Sequence, residues 1–265
     1  MSLTDRTLDL LACFTPDEPT RSLSELSHQS GLPLTTTHRI VTDLLAWGAL
    51  ERTPDGGLQI GLRLWQVASL APRSLGLREV ALPFMEDLYV VTGENVQLAV
   101  RDGTEAVYVE RLTGRHAVRV LTRVGDRFAL HATGVGLVLL AHAPLAVRTT
   151  VLARPLRAWT PHTITDPERL RATLADVIRT GVAVSDRQVT EDALSVACPI
   201  FGPTGEVVAA LSVVVRRGSQ QPQALIPAVR TAGSGISRAL GAGPATPSRA
   251  VTRKGLPPRP AADAL

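Results

Sequence analysis

Lysine is all but missing from this chain. Lys254 is the only one, and arginine carries the rest of the basic side-chain charge. Aromatic residues make up 3%, which excludes a core of stacked rings and leaves Leu, Val, Ala and Ile to fill it. The two cysteines, Cys13 and Cys198, lie far apart, so neither a disulfide framework nor a cysteine metal cluster is expected. No apolar run reaches the roughly 18 residues that span a bilayer. Met1 to Asp9 is polar and acidic, without the basic and apolar regions of a secretory signal. The expectation is a soluble, cytoplasmic protein with no membrane partner.

What is present suffices for two domains: 265 residues, 45% of them hydrophobic. The formal net charge of +4 is unevenly placed. Between residues 1 and 75 Asp and Glu outnumber Arg, while Arg249, Arg253, Lys254 and Arg259 outweigh Asp263 near the C-terminus. Bulk charge is therefore a weak argument for nucleic acid. What matters is whether Arg21, Arg39, Arg52 and Arg63 share a face.

The stretch Ser22 to Arg52 reads as two helices and a hairpin. Ser22 and Glu25 have capping-box spacing. Gly31 supplies a sharp exit and Pro33 stops the first helix. The second helix opens on Thr35, Thr36 and Thr37 and keeps an apolar stripe at Ile40, Val41, Leu44 and Leu45. Leu50 to Arg52 and Leu58 to Ile60 flank Pro54-Asp55-Gly56-Gly57, a turn that suits a β-hairpin. Helix, turn, helix and wing is the arrangement that lays a second helix in the major groove. The alternative is an ordinary helical hairpin, in which Arg52 is a solvated turn charge. Upstream, Thr7 to Phe14 carries a short helical pattern ended by Pro16.

Arg63 to Leu70 predicts a connecting helix, and Leu77 to Val91 a longer one closed by Gly93. The period then becomes two: Val96, Leu98 and Val100, a turn at Asp102-Gly103, a return from Ala106 to Arg111, and a further strand at Val118 to Thr122. His131 to Ala141 predicts a helix with a glycine-rich start. Thr165-Asp166-Pro167-Glu168 reads as a capping box opening a helix to Thr180, closed by Gly181. Strands follow at Val182 to Ser185, Ser195 to Ile200 and Val207 to Val215, then a helix from Ala224 to Leu240. From Gly241 the composition is that of a disordered basic tail. Adjacent antiparallel strands with helices at their ends make the class α+β. The expected domains are residues 1–62, a linker helix at 63–76, a second domain at 77–240, and the tail at 241–265.

This order of elements resembles the IclR family of bacterial transcriptional regulators. The resemblance runs from Leu8 to Val215. It rests on Leu23-Ser-Glu-Leu, Gly31-Leu-Pro, Thr36-Thr-His-Arg and Gly48-Ala-Leu-Glu-Arg in the first domain. In the second it rests on Leu98-Ala-Val-Arg-Asp-Gly, Val107-Tyr-Val-Glu-Arg, Leu130-His-Ala-Thr-Gly-Val-Gly, Thr163-Ile-Thr-Asp and Ala209-Ala-Leu-Ser-Val. It implies an N-terminal winged helix–turn–helix and a C-terminal GAF-like or profilin-like antiparallel-sheet effector domain. It also implies a homodimer or homotetramer on a double-stranded DNA operator, repressing or activating under control of a small organic effector, often a carboxylate or aromatic acid.

Carried over residue by residue, the resemblance nominates Thr35, Thr36, His38 and Arg39 on the second helix as DNA contacts, with Arg21 and Arg52 around them. Hydroxyls and amides at a helix start suit phosphate oxygens, and His and Arg can reach base edges. Arg39 could instead pair with Asp43 one turn on. The effector site falls on Thr133, Gly134, Val135 and Gly136, whose amides open a helix, with Ser185 or Asp186, Ser195 and Ser212 as polar partners. The chain departs from the family twice. Gly136-Leu137 stands where Gly-Lys is common, and Ser195 where Cys is often found, so the family's effectors do not transfer directly.

Other chemistry finds no support. There is no Gly-x-Ser-x-Gly elbow and no phosphate loop. His28, His38, His116, His131, His142 and His162 lack metal-ligand spacing, and His131 reads as structural rather than as a ligand orienter. No catalytic residue, metal or cofactor is expected. The competing readings are a small-molecule hydrolase or transferase acting in the second domain, and an interaction module without DNA binding.

Overall fold

The computed structural model describes residues 1–15, 17–70, 75–114 and 117–243. His116 and nearly all of the expected tail lie outside them, as does the centre of the linker. The N-terminal module is a helical triplet on a small sheet. Helix α1 (Leu3–Leu11) starts earlier than the Thr7 to Phe14 reading, because Ser2 and Asp5 form a capping box of their own. A two-residue strand β1 (Thr20–Arg21) precedes α2 (Leu23–Ser30), which Ser22 and Glu25 cap as expected. Gly31, at φ 66°, is the left-handed residue that turns the chain into α3 (Leu34–Trp47). Strands β2 (Leu50–Arg52) and β3 (Leu58–Ile60) form the hairpin, and β1 adds to the outer edge of β3. Leu10, Leu26, Ile40, Val41, Leu50 and Leu58 share one buried cluster, which fixes α3 across α2.

Helix α4 (Leu62–Ala68) leaves the hairpin directly, and α5 (Leu75–Thr92) enters the second module. Strands β4 (Asn95–Asp102), β5 (Glu105–Leu112) and β6 (Arg127–Ala129) follow, then α6 (Gly134–Ala141), α7 (Leu145–Leu152) and α8 (Pro167–Thr180). Strands β7 (Ala183–Asp186), β8 (Ala193–Phe201) and β9 (Val207–Arg216) and helix α9 (Pro222–Ala239) complete it. The six strands form one antiparallel sheet in the order β6-β5-β4-β9-β8-β7.

Both faces of this sheet are buried. Val96, Leu98, Val196, Cys198, Leu211 and Val213 pack on α5 and α9. Their alternating neighbours Ala99, Ala197 and Ala210 pack with Tyr108 under α6 and α8. The small residues let α6, every residue of which is buried, lie close to the strands.

Three expectations are corrected. Residues 118–122 form no strand; the free edge of β5 is taken by β6, and 117–126 lies over the sheet as an irregular strap that turns at Val124-Gly125. Helix α8 is capped by Asp166, whose carboxylate accepts from the Arg169 amide at 2.8 Å, not by Thr165. Helix α7 was not anticipated; its run Val147-Arg-Thr-Thr-Val151 is rich in β-branched residues that read as strand or loop.

Leu98 is fully buried in the central strand β4. Its truncation to alanine is expected to cost about 2–5 kcal/mol, seen as a lower urea midpoint at unchanged slope.

Candidate functional site

The outward face of α3 carries Thr35, His38, Arg39 and Thr42, all exposed, with Thr36 half-buried beside them. Spacings of three and four residues put them on one side of the helix. Thr37 points inward instead, where its hydroxyl donates to the Pro33 carbonyl at 3.2 Å. Pro33 supplies no side-chain cap. The amides of Thr36 and Thr37 turn back to the Pro33 carbonyl, whereas those of Leu34 and Thr35 have no acceptor among the described residues. The helix thus presents open N–H groups and the positive end of its dipole beside the Thr35 hydroxyl. Arg39 makes no ion pair with Asp43 among the described residues, so its guanidinium stays available.

The other arginines divide. Arg52 is exposed on the wing and reaches the Gly56 carbonyl only at 3.5 Å. Arg21 is 5% exposed; it donates to the Cys13 carbonyl and pairs with Glu18. It holds the module together and does not stand on the face of α3, which corrects its place among the nominated contacts. Arg63 lies over the Trp47 ring, 4.7 Å from its centre, and donates to the Trp47 carbonyl at 3.1 Å. Glu51 on the wing accepts from the Leu62 amide at 2.8 Å. Helix α4 is therefore bonded to both the end of α3 and the wing, while Leu62, Trp65 and Val67 on it, and Leu70 just beyond it, stay exposed, Trp65 at 60%.

In the second module the start of α6 meets the sheet at a cavity of about 50 Å³. Thr133, Gly134, Val135, Ser185, Ser195 and Ser212 all line it; Gly136 and Asp186 do not. Gly136 is turned into the helix, its amide bonded to the Thr133 hydroxyl at 3.0 Å, and Asp186 pairs outward with Arg217 at 3.0 Å. The sheet explains the convergence: Gln97 registers opposite Ser212, and Ser185 opposite Ser195. Gly134 packs closely on β8: a Cβ there would stand 2.7 Å from the Ser195 hydroxyl, which would have to turn away.

Sequence reasoning missed Gln97, Tyr108, Thr122, Gln188 and Thr190, which also line the cavity. The alternation of β4 reads Gln97 as solvent-facing; only the strap above it makes it a cavity residue. Burial pushes the Tyr108 phenol above its usual range, so it stays neutral. The wall at Gln188 is pinned by Thr163, whose hydroxyl donates to the Gln188 carbonyl at 2.6 Å. No Arg, Lys or His among the described residues lines the cavity. His131 lies outside it, with Nε2–H donating to the Arg157 carbonyl at 2.9 Å and its ring 5.5 Å from that of Trp159. Burial lowers its pKa. That is the structural role expected of it.

Two kinds of unmet polar group face this space. The amides of Gly134 and Val135 have no acceptor among the described residues. The Ser212 hydroxyl, in a residue 1% exposed, has no partner either. Such a group costs free energy unless something bonds it. The arrangement suits a small polar ligand whose acceptor atoms meet the helix start and whose other end meets Ser212.

These features define a class: a winged helix–turn–helix regulator with a separate ligand-binding domain. Residues 3–54 match the IclR helix-turn-helix domain, and residues 70–238 match the C-terminal domain of bacterial IclR transcriptional regulators. The chain is 32% identical to the HTH-type transcriptional regulator KipR of Bacillus subtilis over 84% of this chain and 91% of that one. It is 33% identical to the HTH-type transcriptional repressor AllR of Escherichia coli over 72% of each. An IclR homolog from Microbacterium hydrocarbonoxydans, solved in complex with 4-hydroxybenzoate, superposes with a TM-score of 0.86 at 38% identity, covering 90% of this chain and 99% of that one. The chain belongs to the IclR family of bacterial transcriptional regulators. The family consists of regulators rather than enzymes, which sets aside the hydrolase or transferase reading. No helix among the described residues is long and apolar enough to cross a membrane.

Because the Ser212 hydroxyl is buried without a partner among the described residues, Ser212→Ala is expected to leave the ligand-free protein as stable or up to about 1 kcal/mol more stable. Urea denaturation of the two proteins measures this, and a loss of stability would show that the hydroxyl is bonded.

Proposed function

We propose that this regulator binds a double-stranded operator as a homo-oligomer and that a small organic ligand in the Gly134–Ser212 cavity alters that binding. We take 1–62 as the reading module and 77–240 as the ligand module, and a cytoplasmic location goes with the role. The open N-terminus of α3, with Thr35, Thr36, His38 and Arg39 around it, carries the DNA half of the proposal. Thr35 and the free amides suit a phosphate, His38 and Arg39 suit base edges, and Arg52 on the wing suits a flanking phosphate. Arg21 is left out because its guanidinium is bonded inside the module.

So sparse a cationic surface on a mildly acidic module argues for two modules acting together. The uncovered apolar residues of α4, Leu62, Trp65 and Val67, offer the face for that pairing. Trp65→Glu is expected to shift the protein toward monomer in sedimentation and to weaken operator binding in parallel.

Ligand chemistry follows from the cavity walls. With no cationic side chain among the described residues that line it, an anionic group would rest on the amides of α6, which favours a single carboxylate over a di- or tricarboxylate. A cavity of about 150 Å³ holds benzene, and this one encloses about 50 Å³. A small hydroxy acid could enter with little change, whereas an aromatic acid like the 4-hydroxybenzoate of the Microbacterium homolog needs the wall to move.

The test is footprinting on DNA upstream of the regulator's own gene, followed by gel shifts. His38→Ala and Thr36→Ala are each expected to cost about 1–3 kcal/mol of operator affinity without changing ligand affinity. Wild-type affinity should also fall steeply with salt; a flat salt response would point to an interaction module instead.

A further inference from the structure

We infer that residues 117–126 form a strap latched to the reading module by the Arg123–Asp17 ion pair, so that cavity and reading module hold one another in place. The ligand side of this inference rests on the function proposed above; the latch itself does not.

The strap has no strand pairing through 118–122. Side chains rising from the sheet hold it down instead. Asn95 Nδ2 donates to the Val118 carbonyl at 2.8 Å, Gln97 Nε2 donates to the Thr122 hydroxyl at 2.5 Å, and Arg111 donates to the Thr122 carbonyl. Val118 packs with Ala193 and Val214, and Val120 lies against them. At the far end the Asp126 carboxylate accepts from the Arg123 amide at 2.7 Å, and the Tyr108 carbonyl accepts from the Gly125 amide at 2.8 Å.

Val120, Leu121 and Thr122 are at once strap and cavity wall. A ligand that draws the Gln97 amide away from the Thr122 hydroxyl removes one of the bonds that hold the strap down. A ligand larger than the present 50 Å³ displaces the strap or the facing loop. The next residue is Arg123, whose guanidinium pairs with Asp17 at 2.5 Å. Asp17 belongs to the loop in which Glu18 holds the buried Arg21, and through it the Cys13 carbonyl. The pair therefore joins a movable cavity wall to a loop seated on the core of the reading module.

Charge makes the strap sensitive to this contact. Arg111 lies under the strap, close enough to Arg123 for the two cations to repel, with Asp126 as the nearby carboxylate that offsets them. Removing the negative charge at Asp17 leaves that repulsion less compensated. Both latch side chains are partly exposed, Arg123 at 43% and Asp17 at 70%. An exposed pair of this kind biases an opening equilibrium by about two- to five-fold and does not lock it. Coupling is reciprocal: whatever lifts the strap releases the reading module, and whatever moves the module loosens the wall.

Hydrogen–deuterium exchange on the full chain tests this without DNA or ligand. Asp17→Asn and Arg123→Gln are each expected to speed exchange of amides 117–126 by about two- to five-fold, with α6 and β8 unchanged. The charge swap Asp17→Arg/Arg123→Asp should bring those rates back toward wild type. In the reverse direction, Thr122→Val, which removes the Gln97 bond, should speed exchange at residues 17–21. Unchanged rates at 117–126 in the single variants, or a charge swap no closer to wild type than the two singles combined, overturn the latch. Unchanged rates at 17–21 in Thr122→Val overturn the coupling from cavity to module. A wild-type protein that fails to shift DNA counts against the proposed function and leaves these readouts intact.

Discussion

A six-stranded antiparallel sheet must hide two faces, and the faces of β4, β8 and β9 are hidden by different means. Toward α5 and α9 the cover is aliphatic and continuous, so Val96, Leu98, Leu211 and Val213 need nothing but packing. Toward α6 the helix covers only part of the strands, and the rest lies beneath a segment with no secondary structure. Such a segment brings unpaired carbonyls, and buried carbonyls need donors. Asn95 and Arg111 supply them, and Gln97 donates to the Thr122 hydroxyl between them. The cavity exists because of this compromise, at the seam where helical cover gives way to polar cover.

That seam explains which parts of the molecule were legible in the sequence. Local devices were visible: the Ser22 cap, Gly31, the Asp102-Gly103 turn and Gly181 each act within a few residues and leave a short pattern. Features that depend on a distant partner were not. Val118, Val120 and Thr122 have strand-like chemistry, yet β6 occupies the edge they would need. Gln97 looks like a surface residue until a strap twenty-five positions later covers it. Ser185, Ser195, Ser212, Thr133 and Gly134 were nominated through family resemblance, and the sheet register is what brings them to one cavity. Gly136 and Asp186 share the motif but face elsewhere, because neighbours on a helix or strand do not share a face.

The arginines show why charge counts mislead in a chain with almost no lysine. A guanidinium carries five donors in a planar fork and fits structural tasks well. Arg21 binds a backbone carbonyl inside the reading module, Arg63 clamps α4 to α3, Arg123 ties the strap to Asp17, and Arg111 holds the strap down. Of the arginines in the first module, Arg39 at the start of α3 and Arg52 on the wing are the ones left exposed without an ion pair among the described residues, and it is these that the proposed operator contact uses. Net charge could not have separated these roles, since it weighs a buried fork and an exposed one equally.

The Arg63–Trp47 clamp bears on the architecture of the target site. Helix α4 is bonded to the last turn of α3 and, through Glu51, to the wing, so its placement is tied to both. In a pair of copies joined along α4, the separation and tilt of the two reading helices would be dictated by how the linker helices meet, and the groove-facing residues would have no say in it. Half-sites one helical turn apart lie about 34–36 Å from centre to centre, so substitutions on the apolar face of α4 could retune operator spacing while leaving the sequence preference of each half-site untouched. Spacing and sequence would then be free to evolve separately, one written on α4 and the other on α3.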